Sequence, residues 1–211
     1  KRVLRLPLTP FEGGPGNRTY FSSLLALLLF GIAMGEARGV HDEAKSRFYY
    51  EEIKKQGELL AEFLPTWEEP LFQLAKDWKE MTGFDFVGSG MEYGSAWFGH
   101  AKILEITGAF AMQINSEEWF HMNNFVKVID QCGTIFLASV NAPGYERTKE
   151  AVRYSVRLGR PTLVITDGTE EDLGVKVPCI RVPSADFLPA MALTQYVPVC
   201  ILAGYMGAML G

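Results

Sequence analysis

Residues 84–121 leave this chain few ways to fold. A short apolar strand beginning at Phe84 runs into Gly88-Ser89-Gly90. The pattern after it predicts a helix over about 93–106, ended by Gly108, and then a second strand over 109–115. Strand, glycine turn, helix and strand make up the unit of a parallel α/β sheet. In such sheets ligands sit beyond the carboxyl ends of the strands. Gly88-Ser89-Gly90 and the acidic-aromatic turn that ends at His121 both fall at those ends. Glu105 and His121 are the side chains of this stretch best suited to moving protons.

The downstream chain repeats the pattern. A continuous apolar run over 134–140 reads as a strand buried on both faces. Pro143-Gly144 turns the chain into a helix over 145–158, ended by Gly159; further strands are expected over 161–166 and 179–182, while 126–130 is apolar but short. This alternation predicts a mainly parallel sheet with right-handed crossovers. Upstream, residues 20–36 form an apolar helix closed near Gly39, with a hydrophobic run, 24–34, too short to span a bilayer. Residues 42–63 and 67–82 read as two amphipathic helices, so three helices precede the sheet. Before them, 3–8 alternates like an edge strand and 11–18 is irregular. Residues 187–211 carry no charge and are long enough to cross a membrane. Pro189, Gln195, Pro198 and the lack of a basic flank favour instead a buried helix of the core or of a dimer interface.

Composition narrows the function classes. A chain of 211 residues, 48% hydrophobic and 21% charged, can bury one large core or a domain plus part of another. A net charge of −5 without any Lys/Arg cluster offers nucleic acid no basic surface. Cys132, Cys179 and Cys200 are odd in number and far apart, as expected of reduced thiols in a cytoplasmic protein. The chain opens on Lys1, so it is expected to begin inside a longer protein.

Each candidate group competes with a plainer explanation. The dinucleotide fingerprint needs a third glycine where Tyr93 stands. Gly88, Ser89 and Gly90 either bring a phosphate or sugar onto the backbone N–H groups that start the helix, or only permit a tight turn and close packing. Lys102 and Glu105, three apart on one helix face, are at their plainest a surface ion pair. Ile103, Leu104 and Ile106 around them predict a Glu105 set against the core, with the raised pKa that proton transfer needs. His121, after Glu117-Glu118-Trp119-Phe120, is either a packed or capping residue or a proton carrier. His41 reads as solvated and His100 as structural; the three histidines are not at metal-ligand spacing, and no metal is expected.

Together, Gly88-Ser89-Gly90, residues 96–105 and Glu118-Trp119-Phe120-His121 resemble the second sugar isomerase (SIS) domain of double-SIS enzymes. That group includes the isomerase half of glucosamine-6-phosphate synthase and the fructosamine-6-phosphate deglycases. The family pattern is glycine-x-glycine, a helix ending in lysine-x-x-glutamate, and a histidine sixteen residues after that glutamate; Lys102, Glu105 and His121 fit it without a gap. The resemblance implies a three-layer αβα sandwich, flavodoxin- or Rossmann-like, with a second SIS domain over 83–211. Residues 1–82 would hold the tail of a first SIS domain plus connecting helices. It further implies a sugar 6-phosphate substrate bound with help from Gly88, Ser89 and Gly90, a homodimer or higher assembly, no cofactor, and neither a nucleic-acid nor a membrane partner. Glu105 would shuttle the proton between C1 and C2, with Lys102 near the substrate. His121 would assist ring opening, in some members at a neighbouring subunit's site. Two departures stand out. Met122-Asn123 replaces the family's glycine-proline after the histidine, and residues 139–147, with Pro143 and Tyr145, lack the hydroxyl-rich phosphate loop of a first SIS domain. The phosphate site is therefore expected upstream of Lys1.

These residue types suit ketose–aldose interconversion, in which one close carboxylate removes a proton beside a carbonyl and returns it one carbon along. The expectation is the C-terminal part of an enzyme acting on amino-sugar or fructosamine 6-phosphates, by isomerisation, aminotransfer with isomerisation, or deglycation. The rivals are a sugar-phosphate-binding regulatory SIS module without catalysis and an NAD-dependent oxidoreductase. The Glu105/His121 pair and the lack of a DNA-binding segment favour the enzyme over the first, and Tyr93 disfavours the second.

Overall fold

The computed structural model describes Val3, Arg5, Leu6, Leu8, Thr9 and residues 16–211; the edge strand and irregular stretch expected before Gly16 lie largely outside them. Five strands, β1 (Gly83–Val87), β2 (Phe110–Ile114), β3 (Cys132–Ala138), β4 (Thr162–Thr166) and β5 (Cys179–Arg181), lie parallel in the order β2-β1-β3-β4-β5. This is the flavodoxin-like order, with the topological switch between β1 and β3.

Strand alternation splits the side chains between two helical layers. Phe84 and Phe86 of β1, Ile135 and Leu137 of β3, and Leu163 and Ile165 of β4 face one core. It is covered by α2 (Glu43–Trp78), α3 (Met91–Thr107) and α7 (Val197–Leu210), with α1 (Asn17–Ala37) laid outside. Val87, Phe136, Ala138 and Val164 face the other, under α4 (Ser116–His121), α5 (Tyr145–Arg157) and α6 (Glu170–Leu173). The expected three-layer αβα sandwich is thus formed, with the helices upstream of the sheet packed into it.

Several expectations need correction. The two amphipathic helices over 42–63 and 67–82 are one helix of 36 residues, with Pro65 and Pro70 inside it. Each proline removes one N–H from the helical ladder. Both are exposed, so water can satisfy the freed carbonyls, while Trp67, Leu71, Ala75 and Trp78 on the opposite side are fully buried and hold the helix on. Residues 126–130 contain no strand. The prolines of the uncharged segment start helices, Pro189 a 3-10 turn over Leu188–Leu193 and Pro198 the helix α7. The apolar helix expected over 20–36 is formed and spans Asn17–Ala37, 21 residues. By length and composition both α1 and the stretch Leu188–Leu210 could cross a membrane, although half of the latter is buried in the fold.

Candidate functional site

Glu105 sits in the last turn of α3, where Gly108 ends the helix in the left-handed conformation. Its side chain is 54% exposed, whereas that of Lys102, one turn back, is 5% exposed and gives its ammonium to Glu105 Oε2. The expectation of a core-facing Glu105 is therefore inverted: the lysine is the buried partner, and the carboxylate looks outward. The Lys102 Nζ also lies 4.7 Å from the Phe98 ring centroid, a cation–π contact that helps hold an ammonium away from water. Residues that spacing could not reveal complete this corner. Tyr20 stacks on Phe98 at 3.7 Å, Tyr196 meets both rings edge-on, and Cys200 Sγ is 3.6 Å from Asn17 Oδ1. Burial pushes the Cys200 thiol up to about 12, so it stays protonated and is no nucleophile at neutral pH. The start of α1, helix α3 and the start of α7 thus pack together beside the Lys102–Glu105 pair.

His121, the last residue of α4, is exposed, with Nε2 3.2 Å from Glu117 Oε1. Arg147 forks onto the same carboxylate, Nε at 2.5 Å and Nη2 at 3.0 Å, and lies 4.0 Å above the Phe120 ring. Those Arg147 hydrogen bonds, with a smaller contribution from His121, hold the Glu117 carboxyl below the usual range. The turn behind the histidine is fixed from inside. Asn123 Nδ2 donates to Asp85 Oδ1 at 2.7 Å, Arg160 Nη1 donates to the Asn123 carbonyl at 2.6 Å, and Arg160 Nη2 meets Asp85 Oδ2 at 2.9 Å. Trp119 Nε1 reaches the same carboxylate at 3.3 Å. Asn123 thus anchors this turn to the buried pair formed by Asp85 of β1 and Arg160, just before β4.

Gly88, Ser89 and Gly90 follow the carboxyl end of β1, as expected. Gly90 takes φ +61°, and a Cβ at Gly88 would come within 2.6 Å of the Glu92 carbonyl oxygen, so the turn depends on both glycines. The structure does not bring this turn, Glu105 and His121 together. Helix α3 starts at the carboxyl edge of the sheet and runs back, leaving Glu105 about 22 Å from Gly90 along its axis. His121 ends α4, which starts past the carboxyl end of β2 and packs through Trp119 on the other face of the sheet. Within one chain, the proposed base and the histidine sit on helices that cover opposite faces of the sheet. The remaining histidines are both partly buried. His41, expected to be solvated, packs on Tyr49, and neither His41 Nε2 nor His100 Nδ1 finds a partner. Among the described residues no three His, Cys, Asp or Glu side chains gather as a metal site would require.

The strand order and the two helical layers define a three-layer α/β unit of flavodoxin-like order. No protein-family model matches the chain. Over 211 residues, 99% of its length, it is 25% identical to the isomerizing glutamine–fructose-6-phosphate aminotransferase of Thermus thermophilus. It spans 34% of that protein, about a third of the curated relative's length. Among solved structures it is similar to the C-terminal domain of glucosamine-fructose-6-phosphate aminotransferase from Francisella tularensis, with a TM-score of 0.82 at 18% identity, covering 92% of this chain and 54% of that one. It is also similar to tagatose-6-phosphate ketose/aldose isomerase from Escherichia coli, with a TM-score of 0.68 at 14% identity, covering 90% and 50%. The fold is that of the SIS domains, and the chain resembles the second SIS half of the aminotransferases.

Proposed function

We propose that this chain is the C-terminal part of a phosphosugar isomerase-type enzyme acting on amino-sugar or fructosamine 6-phosphates. Residues 83–211 serve as the second SIS domain, and residues 1–82 supply the tail of a first one plus the connecting helices. The observation that carries the reading is the corner of α1, α3 and α7, where a buried Lys102 fixes an outward-facing Glu105. An outward carboxylate with a held rotamer can reach the C1 and C2 protons of an open-chain sugar, which is the geometry that makes one base sufficient. No cofactor is needed for that transfer. The sugar phosphate is held by the preceding SIS half.

His121 acts in ring opening at the Glu105 corner of a second copy. The support is its place on the opposite face of the sheet from its own chain's Glu105, together with its anchored but exposed setting. Isomerisation and deglycation share these first steps and differ in the fate of the amine.

The test is to incubate the active protein in deuterated water with a panel of hexose 6-phosphates, amino-sugar 6-phosphates and fructosamine 6-phosphates, and to follow C1 and C2 protons by NMR. Deuterium is expected at one of these carbons in at least one substrate. Saturable binding without any exchange across the panel would favour the regulatory module instead.

A further inference from the structure

An open sheet of this strand order takes its ligand in the crevice between the carboxyl ends of β1 and β3. In this chain one of its own side chains already stands there. Glu92, in the first turn of α3, is 4% exposed, and a Cβ added at Gly90 would come within 3.9 Å of its Oε2. Ser139, just past β3, is fully buried, and Gln195 Nε2 donates to its Oγ at 3.2 Å. That bond leaves the Ser139 proton free to be given to the Glu92 carboxylate. The walls are tight, since a Cβ on Gly144 would meet Ser89 Cβ at 2.6 Å. A second carboxylate, Asp167, lines the same edge and accepts from the Val140 N–H at 2.8 Å.

We propose that Glu92 is a built-in occupant of the anion position at the start of α3, so that this SIS unit is closed to phosphate at its switch-point crevice. The start of a 17-residue helix favours negative charge, and a carboxylate tethered two residues inside it fills that position without the entropy cost of capturing a free ion. Asp167 makes a second anion less welcome. The glycine turn then has a different task from the substrate binding expected of it: Gly88 and Gly90 let the chain fold tightly over Glu92. Burial pushes the Glu92 carboxyl up, the Ser139 hydroxyl and Glu92's own N–H pull it back, and Asp167 raises it further, as expected of a carboxylate held in a closed, anionic crevice. The closed crevice is independent of the isomerase reading, because it concerns where phosphate does not bind and is read without turnover.

The probe is inorganic phosphate titrated against chloride at constant ionic strength, observed by backbone amide NMR and thermal unfolding of the full chain. In the wild type the amides of Ser89, Gly90 and Glu92 should stay still and the unfolding midpoint should not respond to phosphate. In Glu92→Ser, which empties the crevice while leaving a hydroxyl, the same amides should move saturably. Its midpoint should rise by about 3 °C at a tenfold excess over the dissociation constant. Phosphate-dependent shifts of these amides in the wild type would overturn the proposal, and so would a folded Glu92→Ser that ignores phosphate. The wild-type arm requires no variant to fold. Fructose 6-phosphate, titrated in the same way, should leave the wild-type amides equally unmoved, and saturable shifts with it would overturn the proposal for a sugar phosphate.

Discussion

A fixed spacing is the kind of information a sequence carries well, and Lys102, Glu105 and His121 could be singled out for that reason: two residues three apart on one helix face and a histidine sixteen positions on. What surrounds them was not. Lys102 is buried where α7 packs on α3, with Phe98 one turn back on its own helix; the α7 contact crosses a long stretch of chain that no local pattern encodes. Asn123 looked like an ordinary turn residue until its bond to Asp85, 38 positions away, was visible. At this scale the isomerase reading makes a sharp forecast. Glu105→Gln keeps the volume and can still accept from Lys102, so folding and substrate binding should survive. Turnover should fall by about two to four orders of magnitude, the usual worth of a positioned base. Proton exchange at C1 and C2 measures this directly, and near-normal exchange in the variant would remove Glu105 from the mechanism. His121→Asn should slow cyclic substrates far more than open-chain analogues, since only the former need ring opening. Equal losses for both would assign the histidine another task.

The helices and strands were readable wherever glycine, proline and apolar periodicity agreed. All five strands of the sheet were anticipated to within two residues or so at either end, as was the glycine that ends α3. The failure was α2, which the reading broke at 64–66, around Pro65, although the periodic apolar face runs through the break. Glycines inside α3 give a clean test of packing against propensity. Gly94 is exposed, with open space where a Cβ would go, so Gly94→Ala should stabilise the protein by about 0.5–1 kcal/mol. At Gly99 the same methyl would stand 2.8 Å from the Phe86 ring and 3.3 Å from Val199, wedging α3 off β1 and α7. Gly99→Ala should cost about 1–3 kcal/mol despite the better helix former. Urea unfolding of the two variants checks the opposite signs; two gains would show that the close packing of α3 is not needed.

The first turn of α3 adds a pH signature. Burial holds the folded-state pKa of Glu92 above the ordinary glutamate value, so its ionised form is a cost to the fold. Below the ordinary range both states are protonated and the cost is absent. As pH rises through that range the unfolded chain releases its proton first, and stability falls until the folded-state pKa is passed. Glu92→Gln cannot titrate. It should therefore be more stable than the wild type at pH 7, with the difference closing toward about pH 4. Denaturant unfolding at the two pH values measures it, and a variant less stable at pH 7 would reverse the sign assigned here.

At the scale of the molecule the isomerase reading turns on the separation of Glu105 from His121. With the sheet between them, the proposed base and the histidine are not placed to serve one sugar within a single chain. The apolar surfaces suggest how they meet. Leu27, Phe30 and Met34 of α1 are exposed, and beside them an apolar groove of about 380 Å³ is lined by Leu24, Leu28, Tyr49 and Phe187. Such surface is more than an isolated chain usually shows, so the active protein should be at least a dimer by light scattering. Complementation then decides whether His121 crosses between copies. Homogeneous Glu105→Gln and His121→Asn proteins should each be poor catalysts on a cyclic substrate. In a two-fold dimer each site takes Glu105 from one copy and His121 from the other. Co-refolding the two variants in equal amounts makes half the dimers mixed, and each mixed dimer carries one intact site and one doubly altered site. Activity should recover to roughly a quarter of the wild-type level, far above either parent. If both groups acted within one chain, every site in the mixture would still lack one of them, and activity would stay at the mean of the parents. Recovery that appears only after subunit exchange, with the same mass by light scattering, places the histidine at its neighbour's site; no recovery after demonstrated exchange would place the site within a single copy.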